Sequence, residues 1–406
     1  MPMDFCIVHS EFPCHDRTSG GLRLYTLIAL LREAGHQCDY LITTPQAERR
    51  RLGDADYARY RDDLALLGVN VLESPARSYR DRRWDVVIFE WYMAAAALLK
   101  EFRAWHPRAC LVTDSVDLTF KRWEAKAALS GAPDDIAFAK QVRQEELATY
   151  AQSDLVLTLT PEESTELARL LPDTPSFEVP NIHTIPTPER VESQIPELLF
   201  IGSFSHQPNV DAVRWFHREV WPGVRAAMPA CRWTIIGAEA PPDIAALGGA
   251  SVIIAGRVPD TLPYLARCWV SIAPLRFGAG MKGKVGEALA AGAPVVTTAF
   301  GAQGYTLVNG EHALIADDAP AFAAAVIRLL GSPPLREALG AAGVRVIAGR
   351  FSREVMAERI PQLVEKLHRL PRRASRLPAW LARLLLHAHE QWQTHLGWRF
   401  RRQISR

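Results

Sequence analysis

The stretch from residue 270 to residue 298 constrains the fold more than any other part of the chain. An apolar run at Val270–Pro274 predicts a strand buried on both faces, and Val285–Ala291 predicts a helix that ends at Gly292. A second strand is predicted at Val295–Thr298. Strand, loop, helix and strand in this order form one βαβ unit of a parallel sheet. The loop therefore lies at the carboxyl end of a strand, where open α/β sheets bind ligands.

The loop of this unit has the composition of an anion-binding site. Glycines allow its backbone to turn N–H groups toward a ligand, and the N-terminus of the following helix carries a partial positive charge. Three cationic side chains stand in the loop, and Glu287 follows one turn into the helix, where it can accept hydrogen bonds from hydroxyl groups. The loop residues predicted to bind are Arg276, Gly278, Gly280, Lys282 and Lys284. A solvated loop without a ligand is the alternative.

The residues from Glu287 onward, Glu-Ala-Leu-Ala-Ala-Gly-Ala-Pro-Val-Val, resemble the nucleotide-sugar site of GT-B glycosyltransferases, in particular the large retaining family known as family four or group 1. That family carries two glutamates with seven residues between them, and the first would fall here at Ala279. One branch has RFGAGxKGK-like loops instead, and Arg276–Lys284 resembles that branch. In the family the missing acidic residue helps to hold the donor sugar, so its absence bears on how the sugar is held and on retention of configuration.

The resemblance implies an α/β protein with the GT-B fold, in which two Rossmann-like domains face a central cleft. A segment with three prolines separates the two halves of the chain and predicts a hinge. The chain divides accordingly into a Rossmann-like acceptor-side domain (1–182), a linker (183–196), a nucleotide-sugar-binding domain (197–351), a crossover helix (352–370) and a basic amphipathic tail (371–406).

Apolar runs predict strands along both halves of the chain. In the first half they are Phe5–His9, Cys38–Thr43, Val69–Glu73, Asp85–Glu90, Cys110–Asp114 and Leu155–Thr160. In the second half they are Leu198–Gly202, Trp233–Gly237, Val252–Gly256, Val270–Pro274, Val295–Thr298 and Ala313–Asp317. In the first half, the polar residues 46–67 predict one helix between the strands Cys38–Thr43 and Val69–Glu73.

Glycines also stand at the first strand–helix turn. Gly20 and Gly21 allow the backbone to approach a ligand closely, and the resemblance implies that this loop faces the donor diphosphate across the cleft. Arg23, just inside the following helix, is expected to reach the same anion. A tight turn that needs glycine for its geometry alone is the alternative.

The turn at the start of the second domain provides further candidates. Gly202, Ser203 and His206 follow its first strand, and related enzymes often carry an arginine and a lysine there for the donor phosphates. Since neither cation is present, Ser203, His206 and backbone N–H groups are expected to serve. Arg257 follows another strand, at a point where related enzymes place the nucleotide base.

Two aspartates end the predicted strand Cys110–Asp114 and the turn behind it. Asp114 and Asp117 are candidates for holding acceptor hydroxyls or for acting as a base, and Lys282 is the third residue predicted to act in catalysis. The aspartates are equally suited to cap the helix predicted after Leu118.

The charge of the chain is unevenly distributed. The formal net charge is +2, but residues 366–406 carry ten Lys/Arg residues against one acidic residue. A basic amphipathic helix with tryptophans suits an anionic membrane surface, so residues 371–406 are predicted to contact a membrane. The alternatives are packing on the body or on another chain, and a disordered tail. Nucleic acid is not expected as a partner, because the rest of the chain is acidic.

Cysteine usage and hydropathy indicate the compartment. The six cysteines show no metal-ligand spacing, and buried reduced thiols are expected. The N-terminus enters a strand without a signal peptide, and no apolar run reaches the roughly 18 residues that span a bilayer. We therefore expect a cytoplasmic protein, with attachment to the inner face of the cell membrane left open.

These observations predict a glycosyltransferase of the hexosyltransferase type. The expected donor is a nucleotide-diphosphate sugar, and the expected acceptor is a saccharide or a lipid-linked molecule in the synthesis of cell-surface polysaccharide or glycolipid. No cofactor and no metal is expected, because cationic side chains take the place of a divalent ion. The alternatives are a nucleotide-sugar epimerase of the same fold and a non-catalytic nucleotide-sugar-binding or scaffold protein. An NAD-dependent enzyme is disfavoured, since no GxGxxG fingerprint follows the first strand.

Overall fold

The computed structural model describes residues 2–73, 78–186 and 190–371, and the first half of the chain forms a parallel seven-stranded sheet. Its strands are β1 (Asp4–His9), β2 (Gln37–Ile42), β3 (Asn70–Glu73), β4 (Val86–Glu90), β5 (Cys110–Asp114), β6 (Leu155–Thr158) and β7 (Ser176–Glu178), in the spatial order β3-β2-β1-β4-β5-β6-β7. Its helices are α1 (Ser19–Glu33), α2 (Pro45–Leu52), α3 (Asp54–Leu66), α4 (Tyr92–Trp105), α5 (Thr119–Ser130), α6 (Pro133–Tyr150) and α7 (Pro161–Leu170), with a 3-10 turn at Ser78–Asp81.

The second half forms a parallel sheet of six strands. They are β8 (Glu197–Ile201), β9 (Arg232–Ile236), β10 (Val252–Gly256), β11 (Val270–Ala273), β12 (Val295–Thr297) and β13 (Leu314–Ile315), in the order β10-β9-β8-β11-β12-β13. The helices are α8 (Gln207–Trp215), α9 (Trp221–Ala227), α10 (Pro242–Ala245), α11 (Leu262–Arg267), α12 (Gly283–Ala290), α13 (Ala299–Ala302), α14 (Ala319–Leu330), α15 (Pro333–Arg350) and α16 (Arg353–Arg369), with a π-helical turn at Phe216–Val220 between α8 and α9.

Both sheets have the character of Rossmann-like domains. All residues of the central strands β4, β5 and β11 are buried, because helices cover both faces of a parallel sheet and leave no strand face in water. The predicted strands are confirmed, with ends that differ by one or a few residues. All six cysteines are buried and free, as expected.

The single helix predicted over residues 46–67 is wrong. The structure has two helices there, α2 and α3, separated by Gly53 with a φ of +81°. An L-residue rarely adopts this backbone conformation, so the glycine ends the first helix and lets the chain change direction. The polar stretch continues on both sides of Gly53, so the sequence pattern predicts a single helix across it.

The last described helix returns to the first domain. Ser352 caps α16 by accepting a hydrogen bond from the backbone N–H of Val355 (3.3 Å). The apolar face of α16 then joins the hydrophobic core that α1 and the first sheet build. The core residues that it contributes are Met356, Ile360, Leu363 and Leu367.

The described end of the linker is fastened to the second domain. The backbone N–H groups of Val191 and Ser193 donate to the carbonyls of Ala266 and Arg267, and Glu192 accepts two hydrogen bonds from Arg336 (2.7 and 2.9 Å). These contacts hold residues 191–193 against the second domain, and the hinge over residues 183–196 stays a prediction.

No helix within the described residues is long and apolar enough to cross a membrane. The predicted membrane-contacting tail falls, from residue 372 onward, outside the described residues.

Candidate functional site

The carboxyl edges of the two sheets meet at the loop between β11 and α12. Gly280 has a φ of +63°, and a Cβ placed on it would lie 2.8 Å from the Cβ of Asp117 in the first domain. A Cβ on Gly283 would overlap the side chain of Ser19, the first residue of α1. The glycine loop of the second domain is therefore pressed against the first domain, and the site lies between the two.

Two helix N-termini face each other at this contact. Helix α1 begins at Ser19 and helix α12 begins at Gly283, one from each domain. The side chain of Lys282, at the N-cap position of α12, makes no capping hydrogen bond. The two helix N-termini, each with its partial positive charge, thus meet at the contact between the domains, which favours an anion there.

The two lysines of the loop are half-buried at this space. The Nζ atom of Lys282 donates to the carbonyls of Ala279 (2.6 Å) and Gly280 (2.5 Å). The Nζ atom of Lys284 donates to the side-chain oxygen of Asn209 and lies 4.5 Å from the centre of the Phe200 ring. Among the described residues neither lysine has a salt-bridge partner.

Burial changes the titration of both lysines. Desolvation lowers the pKa of Lys282 to about 8, against the opposing effect of Asp117 and Glu163. Desolvation also lowers the pKa of Lys284 to about 7, with Glu287 opposing it. An ammonium group that has lost water without gaining a carboxylate gains most from an incoming anion.

Glu287 lies on α12 beside Lys284. Its pKa is raised by burial, while Lys284 and a hydrogen bond with Thr261 act in the opposite direction. The carboxylate thus interacts with Lys284, and its role as a hydroxyl ligand stays a prediction.

Arg276 has a partner that its sequence context does not reveal. Its Nε atom donates to Asp211 Oδ2 (2.9 Å) and its Nη2 atom donates to Oδ1, so the guanidinium forms a two-point ion pair with helix α8. This pair compensates the charge of Arg276, and its contact with a donor stays a prediction.

Asp117 lies on the opposite side of the loop. It accepts a hydrogen bond from Thr119 Oγ1 (3.2 Å) and pairs with Arg122 at 3.4 Å. The Nη1 atom of Arg122 lies 3.5 Å from Nε2 of His206 in the second domain. Val116, which precedes Asp117, has a φ of +59°, a strained conformation for a β-branched residue of the kind that collects at functional sites.

Asp114 is fully buried below this turn. It pairs with Nη1 and Nη2 of Arg23 at 2.8 and 3.0 Å, and Nε of Arg23 donates to the carbonyl of Val179 (2.9 Å). The expectation that Arg23 reaches the bound anion is therefore wrong: its side chain has no exposed surface and serves the buried carboxylate. Glu90 stands beside Asp114, and burial together with this carboxylate raises the pKa of Glu90 well above its usual range.

Two carboxylates that the sequence did not single out hold the Asp117 turn. Glu146 accepts the backbone N–H groups of Thr119 (3.0 Å) and Phe120 (2.7 Å), the first residues of α5. Glu163 accepts those of Leu118 (3.4 Å) and Leu159 (2.9 Å). Desolvation raises the pKa of Glu146 to about 8 and that of Glu163 to about 7.

The remaining predicted residues surround the same cleft. Gly202 lies against Lys284, and the hydroxyls of Ser203 and Ser205 are 2.8 Å apart. Arg257 reaches Asp16 of the first domain at 3.9 Å, so it stands on the rim between the domains.

The two glycines of the first turn differ in their surroundings. A Cβ on Gly21 would lie 2.7 Å from the carbonyl oxygen of Cys14, so Gly21 is needed for the turn itself. Gly20 has only Val116 Cγ1 near it, at 3.6 Å.

The residues that the structure brings together are Gly20, Asp117, Gly202, His206, Gly280, Lys282, Lys284 and Glu287. Two further predicted residues are held in ion pairs: Asp114 pairs with Arg23, and Arg276 pairs with Asp211. Ser19, Glu146 and Glu163 were missed, because their signal is a contact between distant segments and not a local pattern. Within the described residues no group of three or more His, Cys, Asp or Glu side chains is arranged to hold a metal ion.

Residues 195–332 match the family described as glycosyl transferases group 1. A comparison with curated protein sequences gives no match.

Solved structures are similar over almost the whole chain. A sucrose-phosphate synthase from Thermosynechococcus elongatus has a TM-score of 0.67 at 16% identity, covering 90% of this chain and 99% of that one. The Anabaena protein HepE in complex with UDP-glucose has a TM-score of 0.65 at 11% identity, with 90% and 100% covered. The trehalose-6-phosphate synthase OtsA has a TM-score of 0.58 at 15% identity, with 91% and 100% covered. The fold is the GT-B fold.

Proposed function

We propose, on the premise that the second domain is similar to group 1 glycosyltransferases and that the whole chain has the GT-B fold, that this protein transfers a sugar from a nucleotide-diphosphate sugar to an acceptor hydroxyl. One observation carries the proposal. Lys282 and Lys284 lie without carboxylate partners, among the described residues, where the N-termini of α1 and α12 meet between the domains.

The chemistry of the leaving group fits this arrangement. When the bond between the sugar and the diphosphate breaks, negative charge grows on the phosphate oxygen. The two ammonium groups and the helix N-termini stabilise that charge, and their effect is stronger than in bulk water because both lysines are half-buried. They can do so without a metal ion, and metal independence is part of the proposal.

The first domain provides the acceptor side of the cleft. Asp117 stands opposite the lysine loop, in contact with Arg122, and is the candidate to orient the acceptor hydroxyl and take its proton. Glu287 is the candidate ligand for hydroxyls of the donor, in the first place the ribose. Retention of configuration follows the family resemblance, and Ala279 leaves the sugar to be held by other groups.

UDP-glucose is the first donor to test, because the Anabaena protein HepE, similar in fold, is in complex with it. Hexosyl transfer to a saccharide or a lipid-linked acceptor, in polysaccharide or glycolipid synthesis, completes the proposal. A basic amphipathic tail at 371–406 suits an acceptor held at an anionic membrane. Vesicle sedimentation of the full chain and of a chain ending at residue 371 tests the tail.

The enzymatic proposal is tested in two steps. A thermal-shift screen with UDP-, GDP- and TDP-sugars identifies the donor, since a ligand that binds the native state raises Tm. Release of free nucleoside diphosphate is then measured with and without candidate acceptors. Release that requires an acceptor supports transfer, whereas isomerised nucleotide sugar without release indicates an epimerase. Absence of any shift over the donor panel contradicts the proposal and favours a scaffold.

A further inference from the structure

Two segments that the proposed reaction does not use meet next to the lysine loop. One is the Val-Pro-Asn run that ends at Asn181, where the chain leaves the first domain. The other is the glycine turn that ends at Gly304, followed by Tyr305. The Nδ2 atom of Asn181 donates to the carbonyl of Met281 (3.3 Å), directly before Lys282.

Tyr305 continues this connection. Its hydroxyl donates to the backbone carbonyl of Lys282 (3.3 Å) and lies 3.0 Å from Nε2 of His183. Both side chains are buried, Tyr305 completely. Gly286 makes room for them, because a Cβ on it would overlap His183 Nε2 and the Tyr305 hydroxyl.

The protonation of His183 agrees with a directed chain of hydrogen bonds. Burial lowers the pKa of His183 to about 4, so the ring is neutral at physiological pH. A neutral ring with its proton on Nε2 donates to the Tyr305 hydroxyl, which donates in turn to the carbonyl of Lys282.

His183 and Tyr305 both contact the segment that returns to the first domain. The backbone N–H of His183 donates to the carbonyl of Phe351 (2.8 Å), and His183 forms a β-bridge with Ser352. The ring of Phe351 packs edge-on against Tyr305, with 5.2 Å between the centroids. The outgoing segment at 181–183 and the returning segment at 351–352 therefore converge on one tyrosine.

We propose that Tyr305, through His183, is a positioning residue that couples movement of the two domains to the backbone of Lys282. A rotation at the connecting segments displaces His183, and the shared hydroxyl passes the displacement to the first turn of α12. The lysine loop is then set for the anion only when the domains are closed. The identity of the anion rests on the proposed function, whereas the coupling itself does not.

Tyr305→Phe isolates the hydroxyl, since it keeps the ring against Phe351. The matched control is Tyr40→Phe, which removes another fully buried hydroxyl that donates to a backbone carbonyl, that of Glu11. Hydrogen–deuterium exchange is measured over residues 278–290 and 180–184, and UDP affinity is measured by calorimetry. We expect faster exchange in both segments and UDP binding weaker by roughly two- to tenfold for Tyr305→Phe only.

His183→Gln and His183→Leu extend the test. A glutamine amide can donate to the tyrosine hydroxyl in place of Nε2, so His183→Gln is expected to keep the exchange pattern and the UDP affinity, and His183→Leu is expected to behave like Tyr305→Phe. Equal exchange in Tyr305→Phe and Tyr40→Phe overturns the coupling. Failure of the wild-type protein to bind any nucleotide overturns the proposed function instead, while the exchange data still decide whether the coupling exists.

Discussion

Arg122 of the first domain and His206 of the second approach each other to 3.5 Å across the cleft. Arg122 also pairs with Asp117, so one guanidinium connects the Asp117 turn with the first loop of the second domain. A second contact of this kind joins Asp16 and Arg257 at 3.9 Å. Side chains from both domains therefore line the cleft.

Replacing either loop lysine should slow the reaction without unfolding the protein. In Lys282→Ala and Lys284→Ala we expect turnover to fall by about 10²–10³-fold, because each removes a charge aimed at the departing diphosphate. Steady-state release of nucleoside diphosphate measures it. Lys100→Ala, which removes an exposed lysine on α4, should keep wild-type turnover. Full activity of both loop variants would count against the site.

Anion binding should take up protons. The pKa of Lys282 is about 8 and that of Lys284 about 7, so both are partly deprotonated at pH 8, and a bound diphosphate favours their charged forms. We expect uptake on the order of one proton at pH 8, and affinity that falls as pH rises above about 7. Calorimetry in buffers of different ionisation enthalpy measures the uptake. Lys284→Arg, which does not titrate in this range, should reduce it.

The same shifts set the sign of the effect on stability. Because both lysines titrate well below the pKa of about 10.4 that an unfolded lysine has, the unfolded chain binds more protons between pH 7 and 10. The contribution of these lysines to the free energy of unfolding therefore increases with pH in this window. The variants Lys282→Ala and Lys284→Ala should flatten the pH dependence in urea denaturation.

The Arg23–Asp114 pair should matter for stability. Asp114→Asn leaves a buried guanidinium without its carboxylate and should cost about 3–5 kcal/mol of unfolding free energy. Asp243→Asn is the control, because Asp243 and Arg214 form a two-point pair on the surface, and little change is expected there. Denaturant titrations compare the two. If Asp114→Asn keeps wild-type stability and loses only turnover, Asp114 acts directly in catalysis.

Gly280 should control how closely the domains approach. Gly280→Ala places a methyl group 2.8 Å from the Cβ of Asp117 in a left-handed backbone conformation. We expect UDP affinity to fall by roughly tenfold, because the added methyl group overlaps Asp117 unless the loops separate. The left-handed backbone adds about 1–2 kcal/mol of strain for an alanine whether or not the loops separate. Gly349→Ala, on α15 with open space around it, should bind UDP as the wild type does. Unchanged affinity in Gly280→Ala would show that this contact is not needed.

The fold could be predicted from the sequence because buried parallel strands are continuous apolar runs, which can be recognised locally. The strand–loop–helix–strand unit at 270–298 is such a case, and the structure places it at the domain contact. The helix break at Gly53 was not predicted, since the sequence alone does not distinguish a glycine within a polar helix from a glycine in a loop between two polar helices.

Site residues were harder to predict, because a side chain's partner is set by tertiary structure. Arg23 stands one turn into a helix after a glycine pair, a pattern that fits an anion ligand. Its partner Asp114 is 91 positions away, and the sequence does not show that the two meet. In the same way, Arg276 meets Asp211 across 65 positions, and Tyr305 meets His183 across 122.

The return of α16 to the first domain has a consequence for how the chain folds during synthesis. Met356, Ile360, Leu363 and Leu367 belong to the core that the strands and helices of the first domain build. A ribosome releases the N-terminal part first, so those strands and helices emerge long before the residues that cover them. The first domain thus keeps an uncovered apolar face until the residues of α16 have been translated, and a fragment that stops before residue 353 keeps that face exposed.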